Sequence, residues 1–436
     1  MSKYAALFAD VRSAAAETAA QSKRALHADM SDEQFKALDA PFNESAGIVA
    51  GAGAGKTKLL VERAASLVRA GVDPQRIAVV TFTRKSAGEI KARLLAKFGD
   101  PARVPVCGTV HSVALSRMLS QKEEVVLVDD DNMPFFLDQL REELPEEFDE
   151  ITDAELLLML NRCREEEKEN TTVSLLAYRF EELLAAEDAV DFTGLLKMAA
   201  KKVRPVFDYV LVDEAQDLSS LQLTFLKAIG RKTASYWFIG DSDQSIYAFR
   251  GAHGGVMQML EKQVSVMYRL TTNYRSATNI VAHANNVISF NPNRFDIKWR
   301  AHRSDAGEVV VKDFGTGDEE MAAVRAWLEA DPSRRAVLGR TQAVIASLRA
   351  EGLPAFTVHE SKGLEWPEVW VVGCEAALFP HPLGVREEER RLFYVAMTRA
   401  RDALIMSYAS SRASKRKAKN ERHPSPFLFE AAGFAG

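Results

Sequence analysis

The chain has 436 residues, of which 47% are hydrophobic and 27% are charged, a composition typical of soluble globular proteins. A chain of this length exceeds one ordinary hydrophobic core, so we expect two or three folded units. The three cysteines, Cys107, Cys163 and Cys374, are too scattered for a disulfide framework, and their spacing disfavours a structural zinc site.

The N-terminal region, residues 1–30, is rich in alanine but carries charges throughout. It therefore lacks the apolar core of a signal peptide, and no apolar run approaches the length of a membrane span. These features predict a soluble, cytoplasmic protein without a membrane partner.

A glycine-rich turn is the first motif along the chain. Residues 46–49 are apolar, residues 50–57 read AGAGAGKT, and apolar residues at helical spacing follow. Strand, glycine-rich turn and helix together are typical of a phosphate-binding loop, in which Lys56 reaches the terminal phosphates and the Thr57 hydroxyl binds Mg²⁺. The strict pattern has glycine where Ala50 stands, and a bare Gly-Lys-Thr also occurs by chance, but the alternating glycines favour a nucleotide site.

Charge is distributed unevenly along the chain. Residues 121–190 contain 22 acidic and 6 basic residues, so the remainder carries +11 although the whole chain carries −5. Apolar residues recur at helical spacing within this segment, which predicts an acidic helical insertion with a solvated face. The basic remainder is suited to binding phosphates. A basic cluster at residues 412–422 is either a frayed, soluble tail or a second strand-binding element.

The run Val210-Leu211-Val212 predicts a buried strand that ends in two adjacent carboxylates, Asp213 and Glu214. One carboxylate can hold Mg²⁺ while the other orients or deprotonates a water molecule, and Gln216 can sense the neighbouring group. The alternative is a strand that ends in a solvated acidic turn.

Short apolar runs alternate with helical patterns over the whole chain, which indicates parallel sheets buried on both faces. The predicted strands are residues 48–49, 77–80, 210–212, 236–239, 264–270, 336–338, 369–372 and 404–406. Because a second set of strands follows Arg275, we expect two α/β lobes with the crossover near residues 273–275.

Further motifs join those described above, and in chain order the whole series comprises residues 30–34, 50–57, 81–87, 108–112, 213–217, 240–250, 273–276, 359–366 and 389–400. In this order the motifs resemble the UvrD/Rep branch of the superfamily 1 DNA helicases. Ala50 also agrees with that branch. The chain departs from the pattern in the second lobe, because residues 352–356 run directly into 357–359 and leave no room for the large subdomain of relatives.

The resemblance implies an α/β fold with two RecA-like, parallel-sheet P-loop lobes and a helical insertion in the first lobe. We expect the first lobe at residues 1–112 and 191–265, the acidic insertion at 113–190, the second lobe at 266–410 and a basic C-terminal tail at 411–436.

The resemblance also implies an ATP and Mg²⁺ site. Gln34 would read the adenine edge, Tyr274 would stack on the base and Glu365 would bind a ribose hydroxyl, although Tyr274 could be a core residue and Glu365 a solvated one. Thr57 and Asp213 would hold Mg²⁺, and Glu214 would activate water. The remaining nucleotide contacts implied are Ala50, Gly51, Ala52, Gly53, Ala54, Gly55, Lys56, Lys58 and Arg84.

Three further residues would link ATP to movement of the lobes. Gln244 would sense the terminal phosphate, while Arg275 and Arg399 would act as arginine fingers from the second lobe. The candidate nucleic-acid contacts are Phe82, Thr83, His111, Tyr247, Phe249, Arg250 and His359, of which Phe82 could instead be a core residue and the two histidines structural. Phe249 stands where many relatives have tryptophan.

The sequence therefore predicts a monomeric ATP-dependent DNA helicase that translocates on single-stranded DNA, unwinds tailed duplexes, and has the 3′ to 5′ polarity of the family. One alternative is a translocase that removes proteins or remodels forks without processive unwinding. Others are an ATP-switched nucleic-acid clamp and a P-loop enzyme that acts on a small molecule.

Overall fold

The computed structural model describes residues 24, 27–144, 148, 150–166, 171–247, 255–414 and 417–434. Two parallel β-sheets with helices on their faces organise this part of the chain. None of its helices combines the length and the apolar character that crossing a membrane requires.

The first lobe begins with strands and helices that alternate. In chain order they are α1 (Asp32–Leu38), β1 (Ala46–Ala50), α2 (Lys56–Arg69), β2 (Ile77–Thr81), α3 (Arg84–Phe98), β3 (Val106–Thr109) and α4 (Val110–Ser120). Helices α3 and α4 begin after threonine residues that cap them. The hydroxyls of Thr83 and Thr109 accept hydrogen bonds from backbone N–H groups in the first turns of these helices.

The insertion follows α4 and has a core of its own. Its elements are β4 (Val126–Leu127), α5 (Met133–Arg141), α6 (Asp153–Glu166), α7 (Thr172–Ala186) and β5 (Ala189–Val190). Phe136, Leu160 and Phe180 are among the buried residues of this core. The guanidinium of Arg164 in α6 donates to both oxygens of buried Asp191, at 2.6 and 2.8 Å, and so fixes the insertion to the first lobe.

The chain then returns to the first sheet. The elements are α8 (Phe192–Lys202), β6 (Phe207–Val212), α9 (Ser220–Ile229), β7 (Gly230–Gly240), α10 (Val256–Glu261) and β8 (Val266–Leu270). The sheet has the strand order β3-β2-β6-β7-β1-β8, and its pairs are parallel. Because parallel strands end at the same edge, the segments after β1, β6 and β7 lie side by side.

Alternate residues of these strands enter different cores. Val80 and Val212 face one cluster, whereas Val79 and Leu211 face the other. Successive side chains of a strand point to opposite faces, so a sheet covered on both faces needs continuous apolar runs. This explains why the buried strands could be read directly from the sequence.

The second lobe contains a five-stranded parallel sheet with the order β11-β15-β14-β12-β13. The elements from residue 272 onward are β9 (Thr272–Asn273), α11 (Thr278–Ser289), β10 (Arg300–Ala301), β11 (Glu308–Phe314), α12 (Gly317–Ala330), β12 (Arg335–Gly339), α13 (Gln342–Ala350), β13 (Ala355–Thr357), β14 (Trp366–Val372), α14 (Arg386–Met397) and β15 (Ala400–Ala409). Residues 351–354 alone connect α13 to β13, so no subdomain interrupts the lobe there.

The C-terminal region is folded where the structure describes it, which corrects the prediction of a tail. A hairpin, β16 (Ser411–Ser414) and β17 (Lys417–Glu421), precedes α15 (Pro426–Ala431). Phe427 is fully buried, and buried Arg390 donates to both oxygens of Glu430, at 2.7 and 2.8 Å. Apolar residues at 427, 428 and 431, on one side of a helix, could have indicated this packing.

Two predicted boundaries also differ from the structure. Strand 266–270 pairs with β1 in the first sheet, so the second lobe begins after Leu270 rather than at residue 266. Residues 113–120 continue α4, whose Val113 and Met118 pack in the core of the first lobe, so the insertion begins later than residue 113. In both cases packing places the boundary at the end of an element, which the sequence pattern did not indicate.

Candidate nucleotide and nucleic-acid sites

The glycine-rich turn connects β1 to α2 and uses glycine where the backbone requires it. Gly53 and Gly55 have φ values of 66° and 80°, a conformation that L side chains disfavour. A Cβ atom at Gly51 would lie 2.6 Å from the ring of Trp299, so neighbouring side chains also exclude larger residues. The ammonium of Lys56 donates to the carbonyl oxygens of Ala50 and Gly51, at 3.2 and 3.4 Å, which holds it over the turn.

Asp213 and Glu214 follow β6 and lie beside this turn. The Thr57 hydroxyl donates to Asp213 at 3.4 Å, which brings together two hard oxygen groups of the kind that Mg²⁺ prefers. The donor set therefore fits the predicted metal. Gln216 donates to Glu214 at 2.6 Å and accepts from the Asp241 N–H at 2.9 Å, so Gln216 connects the ends of β6 and β7.

The two carboxyl groups have opposite pKa shifts. Burial and the adjacent Glu214 raise the pKa of Asp213. Burial also acts on Glu214, but the cations of Lys56 and Lys362 outweigh it and lower the pKa of Glu214. Glu214 is therefore ionised at neutral pH, as a residue that accepts a proton from water must be.

Gln34 and Tyr274 lie at the other end of the turn. Gln34 completes a capping box with Ser31 at the start of α1, and its side-chain amide donates to the Ala54 carbonyl at 2.9 Å. The Tyr274 N–H donates to the Gly53 carbonyl at 2.9 Å, and its ring lies 4.7 Å from that of His302. Gln34 and Tyr274 thus flank the turn, and their contacts with the base stay a prediction.

The two predicted arginine fingers meet the same site. Arg399 is buried and donates to the Gln244 side-chain oxygen at 3.2 Å, and Gln244 in turn donates to Asp241 at 2.6 Å. Arg275 donates to Glu365 at 2.5 Å and to the Thr398 carbonyl at 3.1 Å. Burial and neighbouring Arg275 lower the pKa of Arg399, so an anionic ligand would be favoured at this position.

A cavity of about 450 Å³ lies between these groups. Its lining residues are Ala52, Gly53, Ala54, Gly55, Lys56, Thr57, Lys58, Glu89, Arg93, Glu214, Gln244, Tyr274, Arg275, Gly363, Glu365 and Arg399. The structure therefore brings residues from both lobes to one cavity. Asp213 is adjacent to this cavity, because it accepts a hydrogen bond from the lining residue Thr57.

Arg84 lies apart from the other predicted nucleotide contacts, so its contact with the nucleotide stays a prediction. It lines a different cavity, with Phe82 and His111. Arg84 and Arg93 are nine residues apart in α3, which is two and a half helical turns. They therefore face opposite directions, and Arg93 faces the nucleotide cavity. The sequence prediction missed Arg93 and Glu89 as residues that line the cavity. Neither lies in a recognisable motif, and only their position on α3, the helix after β2, places them there.

Aromatic side chains gather beside the nucleotide cavity. The rings of Phe82 and Tyr247 stack with centroids 5.1 Å apart and an angle of 18°, and Tyr247 lies 6.3 Å from His359. The ammonium of Lys362 lies 4.8 Å from the centre of the Tyr247 ring. Stacked rings of this kind provide faces for nucleic-acid bases.

The other residues predicted to contact nucleic acid lie in different surroundings. His111 contacts Phe192 edge to face at 5.1 Å, a partner that the sequence did not indicate, and Thr83 caps α3. Phe249 and Arg250 lie outside the described residues. A cavity of about 570 Å³ separates Phe82 and His111 from helix α6 of the insertion.

Two protein-family models match the chain. The UvrD/REP helicase N-terminal domain matches residues 30–169 and 126–265, and the UvrD-like helicase C-terminal domain matches residues 346–411. The N-terminal match alone extends over more than half of the chain.

Similar proteins carry helicase names. The chain is 28% identical over 310 residues to ATP-dependent DNA helicase Rep of Escherichia coli, which covers 64% of the chain and 46% of that protein. It is 26% identical over 406 residues to ATP-dependent DNA helicase PcrA of Leuconostoc citreum, which covers 81% of the chain and 54% of that protein. The chain thus spans about half the length of these curated relatives. Together with the matched domains and the cavity between two parallel sheets, this places the chain in the UvrD/REP helicase family.

Proposed function

We propose that the chain is an ATP-dependent DNA helicase that translocates on single-stranded DNA with 3′ to 5′ polarity and separates tailed duplexes. The observation that carries the proposal is the contact of Arg399 with Gln244. An arginine of the second lobe meets a side chain of the first lobe beside Lys56 and Glu214. Groups from both lobes would then contact one nucleotide, so binding and hydrolysis of ATP would change the relative position of the lobes.

Six residues at or beside the cavity have roles in the proposed hydrolysis. Lys56 would bind the terminal phosphates, and Glu214 would accept a proton from the attacking water. Arg399 and Arg275 would stabilise the charge that develops on the transferred phosphate. Thr57 and Asp213 would hold Mg²⁺, which, when bound, neutralises charge on the phosphate oxygens.

A short path connects this chemistry to the proposed DNA surface. Gln244 lies in the turn Ser242–Gln244 and is followed after two residues by Tyr247, which stacks on Phe82. Movement of Gln244 when the phosphate leaves would therefore reach the stacked rings. A DNA base that takes the place of one ring would stack on the other ring. Single-stranded DNA would then be bound and released once in each cycle.

A strand-displacement assay on duplexes with either a 3′ or a 5′ tail tests the proposal. We expect the native chain to hydrolyse ATP faster with single-stranded DNA and to displace a strand from the 3′-tailed substrate alone. Lys56→Ala should lose both activities while it keeps its fold by circular dichroism. Equal activity of the two proteins would contradict the assignment of the phosphate site.

The same assay separates the alternatives. Hydrolysis stimulated by DNA without displacement at any concentration would indicate a translocase that does not unwind. ATP-dependent DNA binding without hydrolysis would indicate a clamp, and hydrolysis indifferent to DNA would indicate a small-molecule enzyme.

A further inference from the structure

A segment of the second lobe between α11 and β11 contacts the nucleotide motifs at both ends of the cavity. We call residues 291–302 the bracing segment. Its Trp299 packs on Gly51, its Arg300 lies 3.5 Å from Glu33, and its His302 ring lies beside that of Tyr274. The bracing segment therefore already supports the turn and the proposed base-binding end.

Arg294 extends the bracing segment to the opposite end of the cavity. Its guanidinium donates to both carboxylate oxygens of Asp243, at 3.1 and 3.2 Å from Nε and 2.6 Å from Nη2. A further bond of 2.9 Å to the Ile297 carbonyl fixes the guanidinium within its own segment. The side chains of Arg294 and Asp243 are 12% and 3% exposed, so water weakens this ion pair little.

Asp243 lies in the turn that presents Gln244. Its N–H donates to Asp241 at 3.0 Å, and the other oxygen of Asp241 accepts from the Gln244 amide at 2.6 Å. Two buried carboxylates in one short turn repel each other, and burial together with neighbouring Asp243 raises the pKa of Asp241 to about 7. Arg294 supplies positive charge at Asp243, with a further contribution from Arg391 of α14.

We propose that Arg294 is a positioning residue for ATP hydrolysis, which acts through Asp243 to hold Gln244 against Arg399 and the terminal phosphate. This inference rests on the proposed function. Because the bracing segment also touches Gly51 and Tyr274, it would join the base end of the nucleotide to the phosphate-sensing end. Arg294 itself would not touch the nucleotide.

A second ion pair in the structure serves as a matched control for the pair of Arg294 and Asp243. Arg340 donates to Glu389 at 3.1 and 2.9 Å from Nε and 2.6 Å from Nη2, with side chains 18% and 2% exposed. This ion pair lies within the second lobe and does not line the nucleotide cavity. Arg340→Ala should therefore cost a similar amount of stability, while turnover per folded molecule stays the same.

The experiment compares Arg294→Ala, Arg294→Lys, Arg340→Ala and the native chain. We expect Arg294→Ala to lower the DNA-stimulated kcat about tenfold while the Kd of a fluorescent ATP analogue stays unchanged, because a misplaced sensor affects the transition state more than binding. Arg294→Lys should be faster than Arg294→Ala but slower than the native chain, since lysine keeps the positive charge but cannot bind both carboxylate oxygens in the geometry of a guanidinium. Asp243→Asn, alone and combined with Arg294→Ala, completes a double-mutant cycle, in which the double variant should be no worse than the worse single variant.

Hydrogen exchange of residues 240–247 without nucleotide provides a readout that is independent of activity. Exchange should be faster in Arg294→Ala than in the native chain or Arg340→Ala. Exchange equal to that of Arg340→Ala, an equal loss of kcat in both variants, or a parallel rise in Kd would overturn the proposal. Absence of DNA-stimulated hydrolysis in the native chain would instead contradict the proposed function, while the exchange data still decide whether Arg294 orders the turn.

Discussion

Lys362 of the second lobe donates a hydrogen bond to Asp217 of the first lobe, four residues after Asp213. The side chains of this ion pair are 9% and 0% exposed, and Lys362 also donates to the Gln244 carbonyl at 3.0 Å and lies over Tyr247. One ammonium group therefore contacts three parts of the first lobe that the proposed mechanism connects. Such a buried pair is costly to break because the remaining charge has no partner.

Lys362→Met should lower the stability of the chain by about 3–5 kcal/mol, because it leaves Asp217 as an uncompensated buried carboxylate. Urea unfolding followed by circular dichroism measures the loss. Asp217→Asn together with Lys362→Met should recover most of it. Burial raises the pKa of Asp217 to about 6, so protonation relieves the defect as the pH falls.

The pH dependence gives a check on this interpretation. A carboxyl group whose pKa is raised on folding favours the folded state at low pH, since the folded chain then binds the additional proton. The loss in Lys362→Met should accordingly be smaller at about pH 5.5 than at about pH 8. A loss that is equal at both values would indicate altered packing rather than an unpaired carboxylate.

Arg399→Lys should lower DNA-stimulated ATP turnover by about three orders of magnitude, the range of an arginine finger. The Arg399 guanidinium reaches Gln244, the Leu364 carbonyl and the Val395 carbonyl at the same time, at 3.2, 3.3 and 3.0 Å, and an ammonium group cannot span all three. Steady-state ATPase assays measure the loss, and a fluorescent nucleotide should still bind. Turnover within a few-fold of the native value would argue against the assigned role.

Gly51→Ala should destabilise the chain by about 1–3 kcal/mol, the usual cost of overpacking. The new methyl group would lie 2.6 Å from the Trp299 ring. The backbone of Trp299 is fixed, because the Asn285 side chain donates to its carbonyl oxygen at 2.8 Å and accepts from its backbone N–H at 3.1 Å, and this limits how far the ring can move aside. Thermal unfolding measures the effect.

Gly88→Ala is the matched control for this substitution. Gly88 lies in α3 with no atom within 4 Å of its added Cβ, so alanine should be neutral or should stabilise the helix by up to about 1 kcal/mol. Trp299→Leu added to Gly51→Ala should recover stability by making room. If both glycine variants unfold at the native temperature, the Trp299 contact is not tight in solution.

His111→Asn should change how stability depends on pH between about 4 and 6.5. Burial lowers the pKa of His111 to about 4. A histidine whose pKa is lowered on folding supports the folded state above its ordinary pKa, and this support is lost as the pH falls towards the folded value. Urea unfolding at several pH values should show a shallower acid decline in the variant, and parallel curves would contradict a buried neutral His111.

The strands that the sequence predicted were those buried on both faces. All eight apolar runs form strands, because continuous apolar residues match a sheet that is covered on both sides. Of the strands in the two large sheets, β3, β11 and β13 were missed. β11 lies at an edge of the second sheet and has mostly exposed or half-buried residues, and β13 has three residues, so neither carries a buried apolar run.

The nucleotide site was predictable to the extent that single motifs determine it. Lys56, Asp213, Gln244 and Arg399 each lie in a short pattern with its own chemistry, and the fold brings them together. Arg93, Phe192 and Arg294 were not predicted, because their roles depend on which helix face or loop meets a distant motif. Spacing along the chain carries no information of that kind.

A single residue, Thr271, separates β8 of the first sheet from β9, and Tyr274 reaches the Gly53 carbonyl three residues later. The chain therefore crosses between the lobes beside the proposed nucleotide site. The segment before β11 is tied to α11 near this point, because the Asn279 N–H donates to the Ala306 carbonyl. Strand β13, which leads to His359, is four strand spacings from β11, about 19 Å. In the proposed cycle, a rotation of about 10° at this crossing would carry β13 about 3 Å along its arc, so a small change around the phosphate would become a larger displacement at the proposed DNA surface.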